Sequence, residues 1–141
     1  MPLVGEIFFD NQFVFSDGEV GEKLFVIIYA NPSLDLYLAL KTTSQKKRYP
    51  SISSIGCYPN KLVYFLPSTV YTALNADTFI QLGEIFSYKQ SVLLSGKFSG
   101  RIKSIHTLRD DIKNGIINCL KRCKEDIEEE YYELIFSKKS V

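Results

Sequence analysis

The fold is decided by the stretch Leu24-Phe25-Val26-Ile27-Ile28-Tyr29, the turn Ala30-Asn31-Pro32-Ser33-Leu34-Asp35, and the run Leu36-Tyr37-Leu38-Ala39-Leu40-Lys41-Thr42-Thr43-Ser44-Gln45. Two apolar runs rich in strand-forming residues flank an Asn-Pro turn, which is the pattern of a hairpin. The first run is apolar at successive positions, so both of its faces are buried and it is a central strand. The second ends in hydroxyls and an amide. Such a tip either builds a site or simply ends a strand, and the pattern alone leaves both readings open.

Outward from this hairpin, Val4 to Phe9 reads as a first strand. Asp10 to Lys23 is a polar loop interrupted by Phe13, Val14 and Phe15, a short strand or a flap over a barrel mouth. Leu62 to Leu66 is a strand stopped by Pro67. Thr78 to Leu82 is another, with Glu84 to Ser87 continuing it beyond a bend at Gly83. Ser68 to Asn75 is irregular, Tyr88 to Ser91 a turn, Val92 to Leu94 apolar, and Ser95 to Arg101 a turn-rich crossing.

Thr107-Leu108-Arg109-Asp110 fits a capping box with Thr107 at the N-cap. Leu108, Ile112, Ile116, Leu120 and Cys123 then recur at helical spacing, with Gly115 marking a close backbone approach. Ile127, Tyr131, Leu134 and Ile135 predict a second helical segment or a continuation, its acidic face from Glu125 to Glu133 solvated. The expectation is a single domain over residues 1–141 that is mainly β with a C-terminal helix. A small antiparallel barrel or strongly bent sheet over about residues 4–103 is followed by a helical segment over about 107–136. Its core is Val26, Ile28, Leu38, Leu40, Phe79, Ile112, Ile116 and Leu120.

A chain of 141 residues, 45% of them hydrophobic, suits one globular core. No apolar run approaches the ~18 residues of a membrane span. The N-terminal Met1-Pro2-Leu3-Val4-Gly5-Glu6 lacks the basic start and apolar block of a signal peptide, so a cytoplasmic location is expected. Three cysteines in no paired spacing predict buried thiols packing as small apolar groups rather than a disulfide framework. Cys57, Cys119, Cys123 and His106 match no zinc spacing, and neither metal nor cofactor is expected.

Charge is uneven. Residues 1–40 carry one base and six acids (−5), residues 41–124 fourteen bases and four acids (+10), and residues 125–141 two bases and six acids (−4). The basic middle suits a polyanion. Within it, the long connection from Lys46 to Asn60 opens with Lys46, Lys47, Arg48 and Tyr49 directly after the Thr-Ser tip. Cations interleaved with an aromatic residue are the pattern that meets phosphates and stacks bases of single-stranded nucleic acid.

Three stretches carry a family resemblance. Gly21-Glu22-Lys23-Leu24-Phe25-Val26-Ile27-Ile28 looks like the Gly-x-Arg-Pro-x-x-Val-Ile start of a core strand in the PemK/MazF toxins. Leu40-Lys41-Thr42-Thr43-Ser44 resembles their strand ending in Ile-Thr-Ser. Gln81-Leu82-Gly83-Glu84-Ile85-Phe86-Ser87 resembles their Arg-x-Asp-Gln-Ile-Arg-Thr strand. Leu93 to Leu120, with Gly100-Arg101-Ile102, follows the family's closing Gly-Arg-Leu and terminal helix, so the resemblance spans most of residues 4–123.

It implies an SH3-like barrel, a homodimer, and metal-independent cleavage of single-stranded RNA, neutralised by a small antitoxin. It also implies a site at Lys23, Thr43 and Ser44, with Lys46, Lys47, Arg48 and Tyr49 guiding the strand. Such chemistry needs a base for the ribose 2′-hydroxyl, an acid for the leaving oxygen and a cation on the phosphorane. Two departures stand out. Lys23 replaces the family's arginine, keeping the charge without the bidentate fork. The Arg-x-Asp pair falls on Gln81-Leu82-Gly83, leaving Glu84, Lys89 and His106 as the substitutes to consider. An alternative from the same resemblance is a barrel that binds RNA or a protein partner without cleaving.

Overall fold

The computed structural model describes residues 3–71 and 74–137. Among them are seven strands, β1 (Glu6–Val14), β2 (Val20–Asn31), β3 (Leu36–Thr43), β4 (Gly56–Tyr58), β5 (Val63–Leu66), β6 (Thr78–Tyr88) and β7 (Ile102–Thr107), and three helices, α1 (Gln90–Ser99), α2 (Asp110–Lys121) and α3 (Glu129–Phe136). The strands form one antiparallel sheet in the order β4-β5-β6-β3-β2-β1-β7. β4 and β7 are its edges, so the hydrogen-bonded sheet is mainly β in the expected way but is not closed by pairing. Among the described residues no helix is long and apolar enough to cross a membrane.

The central hairpin lies where its sequence puts it. β2 is flanked by β1 and β3, and its turn is a 3-10 segment over Pro32–Leu34 capped by the Asn31 side chain, which accepts from Leu34 N at 3.3 Å. Alternation along β2 divides the core. Val26 and Ile28 join Leu38, Leu40, Ile80 and Leu82 on one face, where Ile112, Ile116 and Leu120 of α2 cover them. Phe25 and Ile27 point to the other face with Phe8, Tyr37 and Ala39, beneath Leu93 of α1. The eight core residues expected from sequence are all buried. Gly115 does mark a close approach, because a Cβ there would lie 2.9 Å from the Tyr64 hydroxyl oxygen.

Four expectations are corrected. The segment read as turn and crossing is helix α1, ended by Gly100 in the left-handed conformation (φ 86°). Its apolar residues are few, so helical periodicity is faint. Thr107 caps nothing: it closes β7, and α2 starts at Asp110 after Arg109, with two acids rather than a side-chain cap on its first turn. The stretch from Asp10 to Lys23, read as a polar loop with a short strand or flap, is mostly strand: β1 runs on to Val14 and β2 begins at Val20, leaving only residues 15–19 between them. Finally, Cys57 of β4 and Cys119 of α2 are joined in a disulfide across 62 residues, with Cα atoms 5.5 Å apart, while Cys123 remains a buried thiol. The pairing links an edge strand to the covering helix, a proximity that linear spacing does not contain.

Candidate functional site

The end of the sheet where β2 begins and β3 finishes carries an unusual density of polar groups. Register sets Lys41 opposite Phe25 and Thr43 opposite Phe79, so Lys41 and Thr43 share the face that holds the aromatic side chains. Lys23 lies on that face too, two residues before Phe25. On either side the face is aromatic. Phe25 is stacked on Phe8 at 5.5 Å and meets Phe13 and Phe86 edge-on at 5.4 and 5.5 Å. Beyond the polar gap, Phe79 is stacked between Phe65 at 4.5 Å and Tyr49 at 4.9 Å.

The gap is widened by an irregularity of β6. Leu40 pairs with Ile85 but Thr42 pairs with Ile80, so Lys41 stands opposite the four residues 81–84. A strand that must accommodate such an excess buckles and re-aims its side chains. Gln81 and Glu84 consequently line a recess of about 370 Å³ together with Lys23, Lys41, Thr43 and Arg48. The bend foreseen at Gly83 is part of this buckle.

Three cations and one carboxylate meet here. Glu84 pairs with Lys41 at 3.5 Å, and Lys41 also lies 5.8 Å above the Phe86 ring centre. Arg48 is steadied by its Nε donating to Gln45 Oε1 at 2.9 Å. Lys23 has a pKa below the ordinary lysine value, chiefly because burial disfavours its charge and further because Lys41 and Arg48 repel it. An anion in the recess would relieve that repulsion.

A second recess of about 600 Å³ adjoins the first. It lies round the tip on the opposite side of the strands, where Leu24, Thr42 and Ser44 alternate with the residues of the first. Phe9, Leu74 and Ile105 give it apolar walls, and Glu22, Asn75 and Thr78 line it beside them. Phe15, Lys23, Thr43 and Gln45 line both recesses and form the ridge between them. Thr42 is fixed by donating to Leu24 O at 3.2 Å, and the Thr43 hydroxyl accepts from Gln45 N at 3.2 Å.

The residues singled out from sequence are divided by the structure. Lys23, Thr43, Ser44 and Arg48 come together round the tip. Lys46 turns away to Asp77 at 2.7 Å. That bond, with those from Ser68, holds the Asp77 carboxyl at a pKa of about 2. Tyr49 is half-buried, stacked on Phe79 with its hydroxyl accepting from Gln81 Nε2 at 3.2 Å. Lys46 and Tyr49 line a third recess of about 330 Å³ on the other side of the 3-10 turn over Lys46–Arg48, and exposed Lys47 lines none of the three.

Of the substitutes considered for Arg-x-Asp, Glu84 reaches the first recess. Lys89 precedes α1, and His106 lies in β7 with Nε2 2.5 Å from the Tyr71 hydroxyl. Sequence reading missed Lys41, although counting back two residues from Thr43 along a strand puts it on the same face. It also missed Phe15 as part of the site, because a loop residue has no register to follow.

The molecule is thus a mainly β protein with helices on both faces of its sheet and a cationic recess at one end. No protein-family model and no curated protein matches the chain.

Proposed function

We propose that this chain is a PemK/MazF-like toxin, an SH3-like barrel that cleaves single-stranded RNA without a metal. The observation that carries the reading is the convergence of Lys23, Lys41 and Arg48 on one recess beside the Thr43 hydroxyl. Glu84 answers only one of these three cations, a phosphodiester supplies further negative charge, and one strand of RNA is thin and flexible enough to follow a curved tip.

In this reading Glu84 takes the proton of the ribose 2′-hydroxyl, which then attacks the adjacent phosphorus. Lys41 and Arg48 stabilise the charge that develops on the phosphorane oxygens. Lys23 delivers a proton to the departing 5′-oxygen, and its lowered pKa makes it a better donor than an ordinary lysine. Thr43 hydrogen-bonds the scissile phosphate. The products are a 2′,3′-cyclic phosphate and a free 5′-hydroxyl, so no water or metal enters the first step.

The reading carries with it a homodimer, a small antitoxin that covers the groove, and a cytoplasmic location. Cytoplasmic thiols are ordinarily kept reduced, and the Cys57–Cys119 bond is the feature that this location has to accommodate. A second reading, a barrel that binds RNA or a protein partner without cutting, draws support from Gln81. Positions 81–83 have no ionisable side chain, and the Gln81 amide is engaged with Tyr49.

The test is incubation of the full chain with single-stranded RNA in excess chelator, the products being resolved and their ends identified. Cyclic-phosphate ends that disappear in Glu84→Gln support cleavage. Binding without any cut at micromolar protein would leave the second reading and overturn the first.

A further inference from the structure

The ridge between the two recesses has a use that the proposed cleavage chemistry does not require. Phe15 lines both recesses, with a half-buried ring. The residue is fixed through its backbone and through two contacts of its ring. The backbone closes a tight turn around it, Phe15 N donating to Glu19 O at 2.8 Å and Gly18 N to Phe15 O at 2.9 Å. Phe13 packs edge-on at 5.2 Å and is itself anchored on Phe25. Gly21 supplies the floor, since a Cβ there would lie only 2.8 Å from Phe15 Cε2. An aromatic ring fixed in this way loses little freedom on gaining a partner. On one side of it lie Lys41 and Arg48, and on the other a larger recess with apolar walls at Phe9, Leu24, Leu74 and Ile105.

We propose that Phe15 is the stacking platform for a nucleobase of single-stranded RNA. The base is seated in the recess walled by Phe9, Leu24, Leu74 and Ile105, and its phosphate is held next door by Lys23, Lys41 and Arg48. This rests on reading the groove as an RNA site, not on its cutting RNA. A polyanion without bases fills only the cationic recess. A nucleotide has a part for each recess, because it joins a flat base to a charged phosphate and the two recesses share Phe15, Lys23, Thr43 and Gln45. Exposed Ser44 at the edge of the larger recess offers its hydroxyl to the rim of that base.

The experiment compares binding of a short labelled RNA with binding of an abasic oligonucleotide of equal length, using the full chain and its variants at fixed salt. The wild type binds the RNA about tenfold more tightly than the abasic chain, within the range that base–aromatic stacking gives. Phe15→Ala removes most of that preference and leaves affinity for the abasic chain unchanged, while Phe15→Trp retains it. Gly21→Ala, which displaces the ring without deleting it, also reduces the preference, so a folding defect in Phe15→Ala does not decide the outcome. Equal binding of both oligonucleotides by the wild type overturns the proposal, as does a preference that survives in Phe15→Ala. Base preference without cleavage overturns the catalytic reading and leaves the platform standing. Failure to bind either oligonucleotide removes both.

Discussion

The two faces of this sheet are built differently. The face under α2 is continuous: Val26, Ile28, Leu38, Leu40, Ile80 and Leu82 meet Ile112, Ile116 and Leu120 in a single hydrophobic cluster. The opposite face breaks into two aromatic clusters, one around Phe25 and one around Phe79, with Lys23, Lys41, Thr43, Gln81 and Glu84 in the gap. The comparison teaches that continuous apolar packing and the gathered charges have been separated in space. Apolar burial stabilises without directing anything, whereas like charges gathered on a sheet weaken the fold unless a ligand answers them. The continuous face can hold the strands while the broken one tolerates that repulsion.

The division is broken most forcefully from the α2 side. Replacing Cys57 by Ser, or reducing its bond to Cys119, releases a 62-residue closure. The chain-entropy relation for a loop of that size gives a loss of about 4 kcal/mol. Denaturant unfolding with and without reductant measures it. An unchanged midpoint would mean that the two sulfurs are not joined in solution. Ile116→Ala should cost about 2–5 kcal/mol, since Ile116 is 1% exposed at the centre of the α2 contact. A melting temperature equal to wild type would remove α2 from the core.

On the opposite side the largest expected structural effect is at Asp10, which pairs with Lys23 across the strands but does not itself line the recess. Asp10 is 1% exposed and accepts from Arg101 Nε at 2.9 Å, Arg101 Nη2 at 3.1 Å and the Tyr88 hydroxyl at 2.9 Å. Burial alone would raise its pKa, but the bonds from Arg101, the Gln12 backbone and Tyr88 outweigh it and lower the net value. A carboxyl depressed by folding contributes stability above its unfolded pKa and loses it as pH falls through the lower folded value. Asp10→Asn should therefore reduce stability at neutral pH by about 2 kcal/mol, as expected for charged hydrogen bonds. It should also weaken the dependence of stability on pH in the acid range. Identical acid unfolding of wild type and variant would contradict this.

The smallest stability effects are expected in the recess itself. Neutralising Lys41 or Arg48 should change stability by no more than about 0.5 kcal/mol, as for surface substitutions in general. Either change should reduce RNA affinity and flatten its dependence on salt. Lys46→Ala should reduce affinity less than Arg48→Ala, because Lys46 is already neutralised by Asp77. Equal losses from both substitutions would place the RNA over the whole 3-10 turn rather than in the recess.

What could be read from the chain follows the same division. The continuous face was legible because burial on a strand or helix leaves a period: Val26 and Ile28, Leu38 and Leu40, and Ile112, Ile116 and Leu120 each repeat in step with their element. Helix α1 was not, since only Leu93 and Gly96 along it are buried. The disulfide joins elements that only the folded chain brings together. Half of the site was legible for the same reason as the core: Lys23, Thr43 and Ser44 are tied to strands whose direction was known. Lys46 and Tyr49 depended on a loop, where Asp77 and Phe79 from another element decide where a side chain points. Gln81 and Glu84 depended on a buckle in β6 that no residue type announces beyond Gly83.

The proposed role of the polar gap, to hold and cut single-stranded RNA, is tested most directly by Thr43→Val. The substitution keeps the shape of a side chain that is 9% exposed and removes the hydroxyl at the ridge. RNA binding and cleavage should be measured together, in chelator, for wild type and variant. The expected result is cleavage by the wild type that is abolished in Thr43→Val, with RNA affinity retained. Cleavage at an equal rate by both proteins, or by neither, would contradict the account.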